Sequence, residues 1–176
     1  MPVVRTREPG GSPGAEAVRG LLLSRGGWEP GAEAMLVSAA RREHVARTVE
    51  PALAAGAWVV CDRFADSTRA YQGEARGLGR AACEALADLA TGGLRPDLTL
   101  VLDLPPEAGL GRARCRGEAN RFEGERWGFH ARVRAAFLAI AREEPGRCVV
   151  IDAARPAGAV EVDALTALRD RLGFAP

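Results

Sequence analysis

"WVVCD", Trp58–Asp62, is a short apolar run closed by an acid. Such a run reads as a buried strand with a carboxylate at its carboxyl end. Two more stretches repeat the pattern: "LTLVLDL", Leu98–Leu104, carries Asp103, and "CVVIDA", Cys148–Ala153, carries Asp152. A fourth short strand, Val3–Arg7, runs straight into Glu8 and a Pro-Gly-Gly turn. Between and after these runs the apolar spacing predicts helices. They are Pro13–Ser24, with Val18, Leu21 and Leu22 on one side, then Gly31–Ala55, Arg80–Ala90, Pro106–Arg116, Glu125–Arg142 and Ala157–Leu172. Strands of continuous Val and Leu alternating with helices predict an α/β fold, a parallel sheet with helices on both faces. In such sheets ligands bind outside the carboxyl ends of the strands, where Asp62, Asp103 and Asp152 fall.

Length and composition fit one domain over residues 1–176, with 47% apolar residues and a formal net charge of +1. A near-zero net charge argues against a general polyanion binder. All 24 basic residues are arginine and none is lysine, so any task that calls for a flexible ammonium must fall to a guanidinium. The cysteines (Cys61, Cys83, Cys115, Cys148) are far apart and show no metal-like spacing with His44 or His130, as expected of free thiols in a reducing compartment. No leader pattern and no membrane-length apolar run stands out, which predicts a soluble cytoplasmic protein.

Three segments carry chemistry. Arg7 and Glu8 leave the first strand at the ligand edge, where an arginine suits a phosphate and glycines let backbone approach closely. The alternative is an ordinary turn with a solvated ion pair. "CDRFADSTRAYQG", Cys61–Gly73, sets Asp62 and Arg63 beside Ser67, Thr68, Tyr71 and Gln72, all able to hydrogen-bond a small polar ligand; the alternative is a polar loop whose Tyr71 packs against the core. Asp62 suits a Mg²⁺ held through water. "GRARCRGEANRFEGER", Gly111–Arg126, carries Arg112, Arg114, Arg116, Arg121 and Arg126, either a salt-bridged helix face or guanidiniums that stabilise phosphoryl-transfer charge. No aromatics interleave with these arginines, which argues against a nucleic-acid surface.

The ordered set "TREPGG", "DRFADSTRAYQG", "RPDLTLVLDLPPEAGLGRARCRGEANRFE" and "VVIDAARP" resembles the bacterial thymidylate kinase family, over Val4 to Leu172. The resemblance implies a P-loop-kinase-like fold and transfer of the γ-phosphoryl of ATP to dTMP with Mg²⁺. By position it implies that Arg7 and Glu8 lie beside the acceptor phosphate, that Arg63 contacts that phosphate, and that Arg41 contacts the thymine base. It assigns Val37, Thr68, Tyr71 and Gln72 to the nucleoside pocket. Residues 112–123 match a lid over ATP, and Asp152–Pro156 a loop near the adenine. Glu8, Arg63, Arg114, Arg116 and Arg121 are the implied catalytic set; Arg112, Arg116, Asp152 and Arg155 the ATP contacts. The family implies a homodimer through its long helices, with no nucleic-acid or membrane partner.

The sequence departs from the family in several ways, among them Phe64 after the Asp-Arg pair where the family has tyrosine or histidine, and Asn120 where an acid is common. "TREPGG" follows the family's second strand, so a first strand and a G-x-x-x-x-G-K-S/T phosphate loop are expected before it and are missing from these residues. Val37 stands where the family places a phenylalanine, and valine packs against a base without stacking on it. Beside the kinase, the residues leave open a nucleotide-binding relative without catalysis, a module that pairs with an intact kinase subunit, and another nucleoside monophosphate kinase.

Overall fold

The computed structural model describes residues 2–24, 26–115 and 124–174, and of residues 114 and 115 the backbone alone. Contacts group the chain into two compact units, Met1–Leu94 and Arg95–Pro176.

The first unit opens with strand β1 (Val3–Arg7) and helix α1 (Pro13–Ser24). Helix α2 (Pro30–His44) follows, with proline at its first turn and the Glu29 carboxylate accepting from the Ala32 amide at 2.9 Å. Amide hydrogen bonds from Gly31 and Ala32 hold the Glu29 carboxyl below the usual carboxylate range. A π-type turn at Val45–Val49 carries α2 into α3 (Glu50–Ala54), so the long helix expected over Gly31–Ala55 is present but interrupted just after His44. Strand β2 (Trp58–Asp62) pairs with β1 in parallel, with Val3 opposite Trp58 and Arg7 opposite Asp62. The segment whose alternative reading was a polar loop is instead helical. Helix α4 (Ala65–Thr68) runs into a second π-type turn, Arg69–Ala75. Helix α5 (Arg80–Thr91) closes the unit and stops at Gly92, whose left-handed φ of 63° suits a residue without Cβ. Helix α2 packs against both α1 and α5.

The second unit holds β3 (Thr99–Asp103), α6 (Pro106–Cys115), α7 (Trp127–Glu143), β4 (Cys148–Asp152) and α8 (Ala157–Leu172). Strands β3 and β4 pair in parallel, with Asp103 opposite Asp152. Val101, Ile140, Ala141 and Cys148 form its core, with Phe137 packed against them. Burying a side chain such as Ile140 contributes about 1.5–3 kcal/mol.

Among the described residues the strands therefore form two separate parallel pairs rather than one sheet. That corrects the expectation of strands covered on both faces. Val60 is 54% and Leu102 57% exposed, because each strand has one hydrogen-bonded neighbour and its apolar run is only partly roofed by helices. No described helix is long and apolar enough to cross a membrane.

Candidate functional site

The carboxyl ends of β1 and β2 lie side by side, and the Asp62 carbonyl accepts the Glu8 amide at 2.9 Å, tying the two strand exits together. Three charged side chains leave this edge exposed: Arg7, Asp62 and Arg63. Arg7 donates to both oxygens of Glu16 at 3.2 Å, and Glu16 also accepts the Gly11 amide at 3.0 Å. The Gly11 amide first, then Arg7, holds the Glu16 carboxyl below its ordinary value. The Asp62 carboxylate accepts no hydrogen bond from the described residues. Arg63 has φ +70°, a left-handed conformation that a side chain disfavours, and its guanidinium lies 5.1 Å over the Tyr71 ring.

Glu8 turns the other way. It is 3% exposed, and both carboxylate oxygens are taken: Oε2 accepts from Arg41 Nε at 2.7 Å, and Oε1 pairs with His44 Nδ1 at 3.1 Å. Arg41 (1% exposed) also donates Nη1 to Thr68 Oγ1 at 3.0 Å and lies 5.6 Å over the Phe64 ring. His44 is fully buried, and its Nε2 meets Thr6 Oγ1 at 2.7 Å. A second buried carboxylate, Glu33, accepts from Gln72 Nε2 at 2.6 Å and has Arg76 Nε at 3.8 Å. Glu33, Val37, Arg41 and His44 are spaced four, four and three residues apart, so they share one face of α2. The two π-type turns begin immediately after His44 and after Thr68, both members of this network. Such turns often mark functional positions, because they re-aim the side chains beside them.

The thymidylate kinase family model matches residues 1–164. The thymidylate kinase of Caulobacter vibrioides is 54% identical over 167 residues, covering 94% of this chain and 78% of that protein. The chain belongs to the thymidylate kinase family. The thymidylate kinase of Bradyrhizobium diazoefficiens is 51% identical over 98% of this chain and 78% of its own length. Among solved structures, the thymidylate kinase of Ehrlichia chaffeensis superposes with a TM-score of 0.75 at 34% identity, covering 94% of this chain and 79% of that one.

Within this family frame the residues singled out from sequence divide into groups. The first unit brings Glu8, Arg41, Thr68 and, through Glu33, Gln72 onto the inner face of α2. Arg7 and Arg63 stay exposed at the strand edge, while Val37 and Tyr71 are half-buried. In the second unit Arg112 donates to the Ala153 carbonyl at 2.8 Å and to that of Ala154 at 3.4 Å. Asp152 accepts the Ala154 amide at 2.9 Å, and Arg155 pairs with Asp163 at 2.5 Å, so Arg112, Asp152 and Arg155 meet at one turn. Arg116, Arg121 and the rest of residues 116–123 lie outside the described residues, as does the Arg114 side chain. Asp103, a strand-end acid like Asp62, is engaged by Arg134 in a two-pronged pair at 2.7 and 2.8 Å, which holds its carboxyl below the ordinary range. Glu33, His44 and Glu16 were not among the expected site residues. For Glu33 and His44 the signal was spacing, a polar residue where the buried face of α2 should carry an apolar one; the half-exposed Glu16 carried no such signal.

Cys61 lies beside this network and is chemically quiet. Its thiol donates to the Arg63 carbonyl at 3.0 Å, and burial, followed by the negative charges of Glu8 and Asp62, pushes it up to about 12. A raised thiol pKa leaves almost no thiolate at neutral pH. At pH 8 the native chain is expected to take up a thiol-alkylating reagent at Cys61 far more slowly than the urea-unfolded chain, as read by peptide mass spectrometry. Equal labelling in the two states would contradict this account.

Proposed function

We propose that this chain binds dTMP at the β1–β2 strand edge and takes part in transfer of the γ-phosphoryl group of ATP to it, giving dTDP and ADP. The observation that carries the reading is the strand edge itself. Arg7 and Asp62 stand opposite one another at the carboxyl ends of two parallel strands, with Arg63 next in line and exposed. Two guanidiniums suit the dianionic phosphate of a nucleoside monophosphate. Arg41, Val37, Thr68, Tyr71 and Gln72 are the proposed surroundings of the base and sugar. The turn that joins Arg112, Asp152 and Arg155 is the proposed ATP side, with lid residues from 112 to 123 and Glu8, Arg63, Arg114, Arg116 and Arg121 as the proposed catalytic set.

Asp62 is the residue that would hold Mg²⁺, through water. Its carboxylate is exposed and accepts no hydrogen bond from the described residues, which suits an ion that keeps most of its hydration shell. When bound, the ion would neutralise charge on the transferring phosphates. We also propose that residues 1–176 act as one thymidylate-kinase-like domain, in a cytoplasmic homodimer without nucleic-acid or membrane partners.

These 176 residues contain no lysine and no G-x-x-x-x-G-K-S/T loop to cradle the ATP phosphates. We therefore expect this polypeptide by itself to bind dTMP but to show little or no turnover in a coupled ADP-release assay. Calorimetry checks the first half: dTMP should bind and outcompete dUMP and CMP. Absence of dTMP binding would overturn the reading, and turnover at a rate normal for a kinase would overturn the second half. Val37 favours one competing reading, another pyrimidine monophosphate as acceptor, because valine discriminates poorly among bases. Tighter binding of CMP or dUMP than of dTMP would select it.

A further inference from the structure

We infer that His44 is a positioning residue for the acceptor nucleotide, setting the aim of Arg41 through the carboxylate of Glu8. The inference rests on the reading of Arg41 as a nucleotide contact. Its physical basis is independent of that reading. An ionised carboxylate only accepts hydrogen bonds, so the ring nitrogen facing it, Nδ1, carries a proton whatever the state of the other nitrogen. Nε2 then trades a hydrogen bond with the Thr6 hydroxyl on β1. His44 is thereby anchored at one end to the strand that leads to the phosphate edge and at the other to Glu8.

Glu8 in turn has no oxygen to spare. With Oε1 held by His44, Oε2 is presented to Arg41 Nε, and Thr68 takes Arg41 Nη1. The third guanidinium nitrogen, Nη2, donates to none of the described residues. A guanidinium pinned by two of its three nitrogens in a buried site presents the third in a fixed direction, so ordering is complete before a ligand arrives. The His44 ring is fixed as tightly as the groups it orders. A Cβ added at Gly11 would collide with Thr6 Oγ1 and the His44 ring, so only glycine, at φ +83°, fits beside the ring. Thr48 secures the same turn by donating to the Gly11 carbonyl at 2.7 Å. Among the described residues, the charged group that bonds the His44 ring is Glu8, from the β1 exit.

Two measurements test the inference. In the ligand-free chain, ¹⁵N NMR of the imidazole should show Nδ1 as the protonated nitrogen, and the Arg41 Nε–H should be slow to exchange with solvent. An unprotonated Nδ1 overturns the inference. Calorimetric titration with dTMP then compares His44→Asn, whose side-chain amide can still donate toward Glu8, with His44→Leu, which cannot. His44→Asn should bind within about threefold of the parent chain, and His44→Leu about tenfold more weakly with loss of Arg41 Nε–H protection. Equal dTMP binding by the parent and His44→Leu, or unchanged Arg41 protection in His44→Leu, overturns it. If His44→Leu fails to fold, His44→Asn decides: restored binding supports the inference, and tenfold weakening refutes it. Failure of the parent chain to bind dTMP would instead strike at the nucleotide reading, and the two NMR readouts would then judge the coupling of His44 to Arg41.

Discussion

Glu8→Ala is expected to lower the stability of the chain by about 3–5 kcal/mol, the cost of removing one partner from a buried ion pair. The size follows from what is left behind. Arg41 loses its Nε acceptor while remaining 1% exposed, and His44 loses the acceptor for a proton it must still bury. Both side chains are buried, because α2 carries them on its packed face. Urea denaturation followed by circular dichroism measures the loss. A midpoint unchanged by Glu8→Ala would mean that the network is not closed as described. The complementary expectation separates specificity from stability. Replacing the charged set together by apolar residues of similar volume, Glu8→Leu with Arg41→Met and His44→Leu, should recover most of the loss, since no buried charge remains unpaired. The same variant should not bind dTMP. A network that stabilises the fold no better than leucine does, yet is required for ligand, is there for the ligand.

The reading of the sequence succeeded where one period dominated. The apolar runs ending in Asp62, Asp103 and Asp152 are strands within a residue of the expected bounds, and Pro13–Ser24 and Ala157–Leu172 are helices with the bounds expected. Two features lay outside what periodicity reports. A polar loop was the alternative reading of the stretch after Arg63, yet Ala65–Ala75 is helical. There Asp66 supplies an acid in the first turn, and the polar groups of Thr68 and Gln72 bond inward rather than to solvent. Buried charge was the second. Glu33, Arg41 and His44 would ordinarily be placed on the wet face of α2, because charged residues are almost never fully buried unless paired. Their partners, Glu8 and Gln72, are more than thirty residues away in sequence, so the pairing is visible only once the strand, the helix and the turn are set against each other. The motif resemblance could name Glu8, Arg41 and Thr68 as functional. It could not say that they touch.

Arg63→Gly is expected to weaken dTMP binding by about 30–100-fold while leaving the chain at least as stable as the parent, within about 1 kcal/mol. The combination is unusual for a residue so close to the core, and it follows from the backbone. At φ +70° any residue with a Cβ is strained, by about 1–3 kcal/mol. Glycine relieves that strain, which offsets the loss of the arginine's contact with the Tyr71 ring, about 0.5–1 kcal/mol at an exposed site. Arg63→Ala removes the same guanidinium but keeps the Cβ, so it should lose affinity equally and fall below Arg63→Gly in stability. The difference between the two variants in urea midpoint measures the strain, and their shared loss in calorimetry measures the guanidinium. Equal stability of the two would show that the left-handed backbone costs nothing. Parent-like dTMP binding by Arg63→Gly would remove Arg63 from the acceptor site. If both expectations hold, the chain keeps a strained arginine at a strand end where glycine would be more comfortable. Strain persists at such a position only where the surrounding structure over-determines it, and here the exit of β2, the Cys61 thiol on the Arg63 carbonyl and the start of α4 fix it from both sides.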